Sequence, residues 1–487
     1  MALREFLIRD AKPIDENEYE NGLKYEKWEI DADLQMINRM FRGGTLLKLL
    51  IPFIRTIMKN KIEEIFRKET KIRLKLLGLQ KAILDVTIWD DQTKRYPLSS
   101  DYQERFSKLL IVIFETLLES EYIYTRIYEY YTSILVPMRK EINAENFDSL
   151  WKRDYFIKEL RQKFNDPNLS NFIGFVAYYI DQYGPLDSME VITLEYSKFI
   201  AVFSTTGLRT WPASYHLFEF IRNTIISPQS EKFRWHRLDK DYRWKNILEL
   251  GSGSGSLGIC LVKTLTNLTE KNRPFEGFRY IFTDNSNEVL QHIKLNLFIN
   301  NMIFSSDEND SDSNFFTSTS KERKDRDQIA VRKFDWCQSI YDQTDSRQAL
   351  EIFSSCDLII GSDIVFDISR IEPLIKSLSE IFRISMDSHE LKRPPDCLLC
   401  CTMRDPKLLE IFEEEVRTPR HWLKATIIDR CDRPKTFEKI FNHLDQLPKS
   451  FVEEENIENI LKSMSDNQPS VIYRIESLFH DPNYEKR

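Results

Sequence analysis

The 487-residue chain carries 69 basic and 77 acidic side chains, a net charge of −8, which leaves no general positive field to hold nucleic acid phosphates. Residues 1–10 bring acids early and no long apolar core, so neither a signal nor a transit peptide is expected, and apolar runs such as 109–114 fall far short of the ~18 residues that span hydrocarbon. Seven cysteines without regular spacing argue against a disulfide framework, and a soluble intracellular protein of two domains is the expectation.

Residues 1 to about 190 read as mostly helical: Phe106, Leu109, Leu110, Ile113 and Leu117 fall on one helical face. Tyr122, Tyr124, Tyr128, Tyr130 and Tyr131 form an aromatic-rich segment whose helical spacing points to core rather than to a stacking platform. The β-branched, alternating run 191–203 predicts a hairpin. Beyond it, Thr210 or nearby backbone is expected to cap a helix with Pro212 in its first turn, which places Trp211 at the helix entrance.

Asn246-Ile-Leu-Glu-Leu-Gly251-Ser-Gly-Ser-Gly-Ser-Leu-Gly258 then reads as a strand, a glycine-rich turn and the opening of a helix. Glycine at alternate positions lets backbone approach a ligand where a Cβ would intrude. Spacing alone fits a dinucleotide site as well. Glu249, an acid two residues before the first glycine, tips the choice toward S-adenosylmethionine (AdoMet), which has no pyrophosphate to cradle.

Tyr280-Ile-Phe-Thr-Asp284 is a second strand ending in an acid suited to both hydroxyls of a ribose. The polar stretch 303–328 lacks periodicity and is expected to be a disordered insertion. A third strand runs to Asp335 and Trp336, a fourth to Ser362 and Asp363, and a fifth covers 397–402, followed by a helix after Pro406 and a strand over 470–475. Strands alternating with helices predict an α/β, doubly wound parallel sheet. Cys397-Leu-Leu-Cys400 has no second pair or histidine pair at zinc-ligand spacing, so it reads as buried strand and no metal is expected.

The order Glu249-Leu-Gly-Ser-Gly-Ser-Gly255, Asp284, Asp335-Trp336 and Gly361-Ser-Asp-Ile-Val-Phe366 resembles the seven-strand, Rossmann-like class I AdoMet-dependent methyltransferases. Thr205-Thr-Gly-Leu-Arg-Thr-Trp211, Phe334-Asp-Trp336 and Thr402-Met-Arg-Asp-Pro406 resemble, more narrowly, the eukaryotic elongation factor 2 lysine methyltransferases, whose N-terminal helical domain is similar to the segment with Ala82-Ile-Leu-Asp and Tyr96-Pro-Leu-Ser-Ser-Asp-Tyr102. The resemblance implies a helical domain over 1–190 and a methyltransferase domain over 191–480. It implies that Trp211, Glu249, Gly251, Ser252, Gly253, Gly255, Asp284, Asp335, Trp336 and Ser362 form the AdoMet site, with Asp284 on the ribose. Asp363 and Phe366 match an Asp-x-x-Tyr/Phe signature beside the methyl-transfer point, with Phe where a phenol often stands. The implied reaction is methylation, to the trimethyl state, of a lysine in elongation factor 2 by a cytoplasmic monomer that engages neither nucleic acid nor membrane. A methyltransferase for another protein, and a non-catalytic AdoMet-fold interaction protein, are the alternatives. Intact acids at Glu249, Asp284 and Asp363 argue against the second.

Overall fold

The computed structural model describes residues 30–44, 47–68, 72–135, 154, 156–160, 162, 171–181, 188–196, 206–226, 244–270, 278–304, 328–342, 346–387, 394–431 and 469–479. From 305 to 327 the expected insertion lies outside these residues, as does 197–203 at the end of the expected hairpin run. The chain divides into two units between 143 and 144.

The first unit is helical: α1 (Ala32–Arg42), α2 (Leu47–Lys68), α3 (Ile72–Asp85), α4 (Asp91–Arg95), α5 (Ser100–Leu117) and α6 (Arg126–Leu135). Asp31 caps α1 by accepting the Leu34 N–H at 3.0 Å, and Ser99 caps α5 through the Tyr102 N–H. The core is aromatic, with Phe41 4.5 Å from Phe106. Phe106, Leu110, Ile113 and Phe114 form the buried stripe of α5, while Leu109 stands outside it with Val112. Tyr122 and Tyr124 are core, as expected, whereas Tyr128 and Tyr130 on α6 keep their hydroxyls on Glu115 and Gln103. Buried Gln80 donates to the Tyr122 carbonyl and accepts from the Tyr124 N–H, fixing the segment that leads into α6.

The second unit begins earlier in strand than expected. Residues 173–181 and 188–196 are not helical: β1 (Ile173–Asp181) and β2 (Ser188–Tyr196) pair antiparallel in unbroken register. Aromatic and β-branched side chains in Ile173-Gly-Phe-Val-Ala-Tyr-Tyr-Ile explain the strand. The unit continues, among the described residues, with α7 (Pro212–Ile226), β3 (Asn246–Leu250), α8 (Ser256–Glu270), β4 (Arg279–Asp284), α9 (Asn287–Ile299), β5 (Gln328–Lys333), α10 (Ser346–Ser354), β6 (Leu358–Ser362), α11 (Ile368–Asp387), β7 (Asp396–Thr402), α12 (Pro406–Arg417), β8 (Leu423–Cys431) and β9 (Ser470–Ser477).

Among the described residues seven strands make one sheet in the order β5-β4-β3-β6-β7-β9-β8. The sheet is parallel except for β9, which runs antiparallel to both neighbours, and it is doubly wound as expected. Strand order reverses between β3 and β6, and a doubly wound sheet opens its crevice at the carboxyl ends of such strands. Cys397, Cys400 and Cys401 are buried along β7, as the core reading expected. The hairpin is held by two side-chain amides, Asn296 on α9 and Asn300 at its C-cap. Asn300 accepts the Ile192 N–H at 3.1 Å and donates to the Ile192 carbonyl at 2.6 Å, as a neighbouring strand would. Asn296 accepts the Leu194 N–H at 2.7 Å and donates at 2.8 Å to the carbonyl of Ser254 in the glycine turn.

Candidate active site

After β3 the backbone turns through Gly251, Gly253 and Gly255 at φ +60°, +55° and +77°, a region closed to most residues with a Cβ. Closeness adds to this. A Cβ on Gly251 would come to 2.7 Å from Ile364 Cγ2 and 3.3 Å from the Trp336 ring. The turn is stitched to β4: the Ser252 N–H donates to the Thr283 carbonyl at 2.8 Å, and the Thr283 N–H returns to Ser252 Oγ at 3.0 Å. Gly258, a turn into α8, has the Phe282 ring 2.2 Å from where its Cβ would stand, so this glycine serves helix–sheet packing.

Two acids flank the turn. Asp284, at the end of β4, accepts the Gly253 N–H at 3.4 Å and the Ser286 N–H at 3.1 Å. Burial pushes its carboxyl up to about 6, against the pull of the backbone donors. Ser286, not Asp284, caps α9. Glu249 is 1% exposed and accepts the Tyr280 hydroxyl at 2.9 Å. Burial pushes it up to about 8, with the Asp284 charge adding in the same direction. Beyond β5, the Phe334 N–H donates to the Asp284 carbonyl at 3.0 Å, which brings Asp335 and Trp336 to the same rim. The Asp335 carboxylate closes its own turn on the Cys337 N–H at 3.0 Å. Among the described residues the buried Trp336 Nε1 has no hydrogen-bond partner.

On the other side of the crevice, Ser362 Oγ meets Ser214 Oγ at 2.8 Å, joining the end of β6 to α7. Asp363 follows at φ +53°, and its side chain explains how a non-glycine residue stays there. One oxygen accepts the Thr402 N–H at 2.8 Å; the other accepts Thr402 Oγ1 at 2.8 Å and Arg404 Nη2 at 3.2 Å. Its carboxylate is therefore committed to the end of β7. It does not cap α11 either, where Asp367 accepts the Ser369 N–H. The Arg404 guanidinium in turn lies 4.6 Å from the centre of the Trp211 ring, with Arg209 5.6 Å away. Trp211 is oriented by its Nε1–H, which donates to the Thr206 carbonyl at 3.0 Å. Phe366, three residues past Asp363, is 45% exposed.

Sequence reasoning missed three members of this arrangement. The Thr210 hydroxyl does not cap α7; it donates to Glu195 at 2.5 Å and lies 2.7 Å from Ser254 Oγ in the glycine turn. Glu195 also accepts Tyr178 OH, Thr193 Oγ1 and the Thr210 N–H, so the hairpin supports the turn from beneath. No local signal in the alternation of β2 marks Glu195 as buried. Arg404 was visible within Thr402-Met-Arg-Asp-Pro406, but only its stacking on Trp211, far away in sequence, gives it a place.

These features fit AdoMet. Backbone opened by glycine, an acid beside it for a ribose and an unpartnered indole N–H are what a nucleoside carrying an amino acid would engage. Residues 201–414 match the lysine methyltransferase family. The protein-lysine N-methyltransferase EFM3 of Saccharomyces cerevisiae is 23% identical over 65% of this chain and 74% of its own length. EFM3 of Chaetomium thermophilum is 27% identical over 42% of this chain and 48% of its own, and human protein-lysine N-methyltransferase EEF2KMT 26% identical over 46% and 54%. The chain thus spans about half the length of the latter two. No helix among the described residues is long and apolar enough to cross a membrane, and no group of three or more potential ligands among them could hold a metal ion. The sheet order, the turn after β3 and the match of residues 201–414 to the lysine methyltransferase family together support an AdoMet-dependent protein-lysine N-methyltransferase.

Proposed function

We propose that the protein methylates, to the trimethyl state, one lysine of eukaryotic elongation factor 2, acting in the cytoplasm as a monomer without a metal ion and without binding nucleic acid or membrane. Supporting this acceptor are the motifs on which the chain resembles the elongation factor 2 methyltransferases, Thr205-Thr-Gly-Leu-Arg-Thr-Trp211, Phe334-Asp-Trp336 and Thr402-Met-Arg-Asp-Pro406; Arg404 of the last lies 4.6 Å from the centre of the Trp211 ring of the first. Relatives carrying the name EEF2KMT support the same reading.

Bound AdoMet supplies an electrophilic methyl group on a sulfonium. Gly251, Ser252, Gly253 and Gly255 are assigned to its amino-acid end with Glu249 behind them, Asp284 to the ribose, and Asp335 and Trp336 to the base. Trp211 and Ser362 close the side nearest α7. On the acceptor side, Phe366 and Trp211 wall the approach of the lysine. An ammonium, with a pKa near ~10.4, has no lone pair to donate, and apolar walls disfavour its charge. Holding donor and acceptor in line is the larger part of what the chain can contribute.

The test is transfer of labelled methyl from AdoMet to purified elongation factor 2, followed by mass mapping. Label confined to one lysine, reaching the trimethyl mass, is the expected result. Measurable AdoMet binding with no label on elongation factor 2, but label on another protein of a whole extract, would discard this acceptor and keep the methyltransferase.

A further inference from the structure

At the end of β6 the more exposed charge is a guanidinium rather than a carboxylate. Asp363 is the acid at the end of β6, yet both its oxygens are taken by Thr402 and Arg404, and its side chain is 4% exposed. The Arg404 side chain is 36% exposed and lies across the Trp211 ring. The Asp363–Ile364 turn packs against Gly251, so this pair adjoins the glycine turn. The neighbouring charged groups are Arg209, on the same indole, and Asp405, whose carboxylate is used on the Lys407 N–H at the start of α12.

We infer that Arg404 is a positioning residue that sets the charge of the methyl-transfer site: clamped between Asp363 and Trp211, it cancels the buried carboxylate and faces the acceptor amine with positive charge, so that the neutral, nucleophilic form is favoured. The inference rests on the AdoMet reading of the crevice and makes Asp363 the residue that holds Arg404 in place. The physical reason is the sign of the pair. Intact, Asp363 and Arg404 sum to zero with the positive end outward. Without Arg404 the carboxylate is left alone and attracts an ammonium; without the Asp363 charge the guanidinium repels it more strongly.

A binding experiment reads this without any acceptor protein. Sinefungin carries a primary amine on carbon where AdoMet carries its methyl-bearing sulfonium, while S-adenosylhomocysteine has no group there. The ratio of their affinities at pH 7.5 therefore reports how the site treats an ammonium. Arg404→Gln is expected to shift the ratio toward sinefungin by roughly three- to tenfold, Asp363→Asn to shift it away, and the double variant to return close to the parent. Asn is the fitting replacement because it tolerates the left-handed backbone at this position. Arg404→Lys, which keeps the charge, is expected to hold the parental ratio.

Equal losses for both ligands in Arg404→Gln, with the ratio unmoved, would make Arg404 a purely structural residue and overturn the inference while leaving the AdoMet site standing. A parent protein that binds neither ligand would overturn both, and the two failures are distinguished by S-adenosylhomocysteine binding alone.

Discussion

After β3 the chain turns on glycines at φ +60°, +55° and +77°; after β6, across the same crevice, it turns on Asp363 at φ +53°. The first turn obtains its conformation by removing side chains and so leaves its backbone open to close approach by a ligand. The second keeps a side chain and uses it as a tether, with donors from Thr402 and Arg404 offsetting a strained backbone. One turn is built to be approached and the other to be held. Substitutions should accordingly fall on affinity at the first and on stability, or on the charge of the site, at the second.

The largest effect is expected where the tether is cut. Asp363→Ala leaves the Thr402 N–H and hydroxyl without their acceptor in a buried site and places a Cβ-bearing residue in the left-handed region with nothing to hold it. A loss of about 3–5 kcal/mol is expected in denaturant unfolding. Asp363→Asn, which keeps an acceptor and tolerates the conformation, should cost less than half of that. Equal losses would mean that the hydrogen bonds contribute little and the backbone is relaxed.

The glycines separate the two purposes within a single motif. Gly258→Ala drives a methyl into the Phe282 ring and should cost about 1–3 kcal/mol in unfolding free energy. Gly251→Ala meets Ile364 and Trp336 and is strained at φ +60°, so S-adenosylhomocysteine affinity should fall by tenfold or more, which calorimetry would read. A Gly251→Ala protein that binds normally would show that the open backbone is not where the ligand lies.

Trp336→Phe removes an indole N–H that has no partner among the described residues, so unfolding should barely change. If that N–H meets the bound nucleoside, S-adenosylhomocysteine should bind about tenfold more weakly, the equivalent of one hydrogen bond of ~1.4 kcal/mol.

The contrast between the turns also explains what could be read in advance. Alternation of strand and helix, and three glycines after Glu249, were legible because each is local, and so was the place of Asp284, Trp336 and Asp363 at strand ends. The antiparallel run of β9 was not: Val471-Ile-Tyr-Arg-Ile475 has the same pattern in either direction, and only pairing to β7 and β8 decides it. Strand β8, Leu423-Lys-Ala-Thr-Ile-Ile-Asp-Arg-Cys431, is an edge strand whose polar positions hid it. The fate of Asp363 was hidden for a related reason. Whether a strand-end acid faces a substrate or the next strand depends on Thr402 and Arg404, some forty residues on, and on the indole against which Arg404 rests.

The smallest expected effect is one of pH, and it divides the two acids of the open turn from each other. Asp284, raised to about 6, should ionise as pH climbs through that value, and only the ionised carboxylate can accept from both ribose hydroxyls. Affinity for S-adenosylhomocysteine is therefore expected to rise from pH 5 to pH 7 by up to about tenfold and then level, in a Glu249→Gln background that removes the second titration near 8. For the free protein the sign is opposite. A carboxyl raised by burial binds its proton more tightly folded than unfolded, so its contribution to stability is present below the ordinary carboxylate range and is lost as pH rises through 6. Asp284→Asn should flatten both curves, at lower affinity and, above pH 6, at higher stability. An affinity that stays level from pH 5 to pH 7 in the parent and in Glu249→Gln would remove Asp284 from the ribose, leaving it only the Gly253 and Ser286 N–H groups to order.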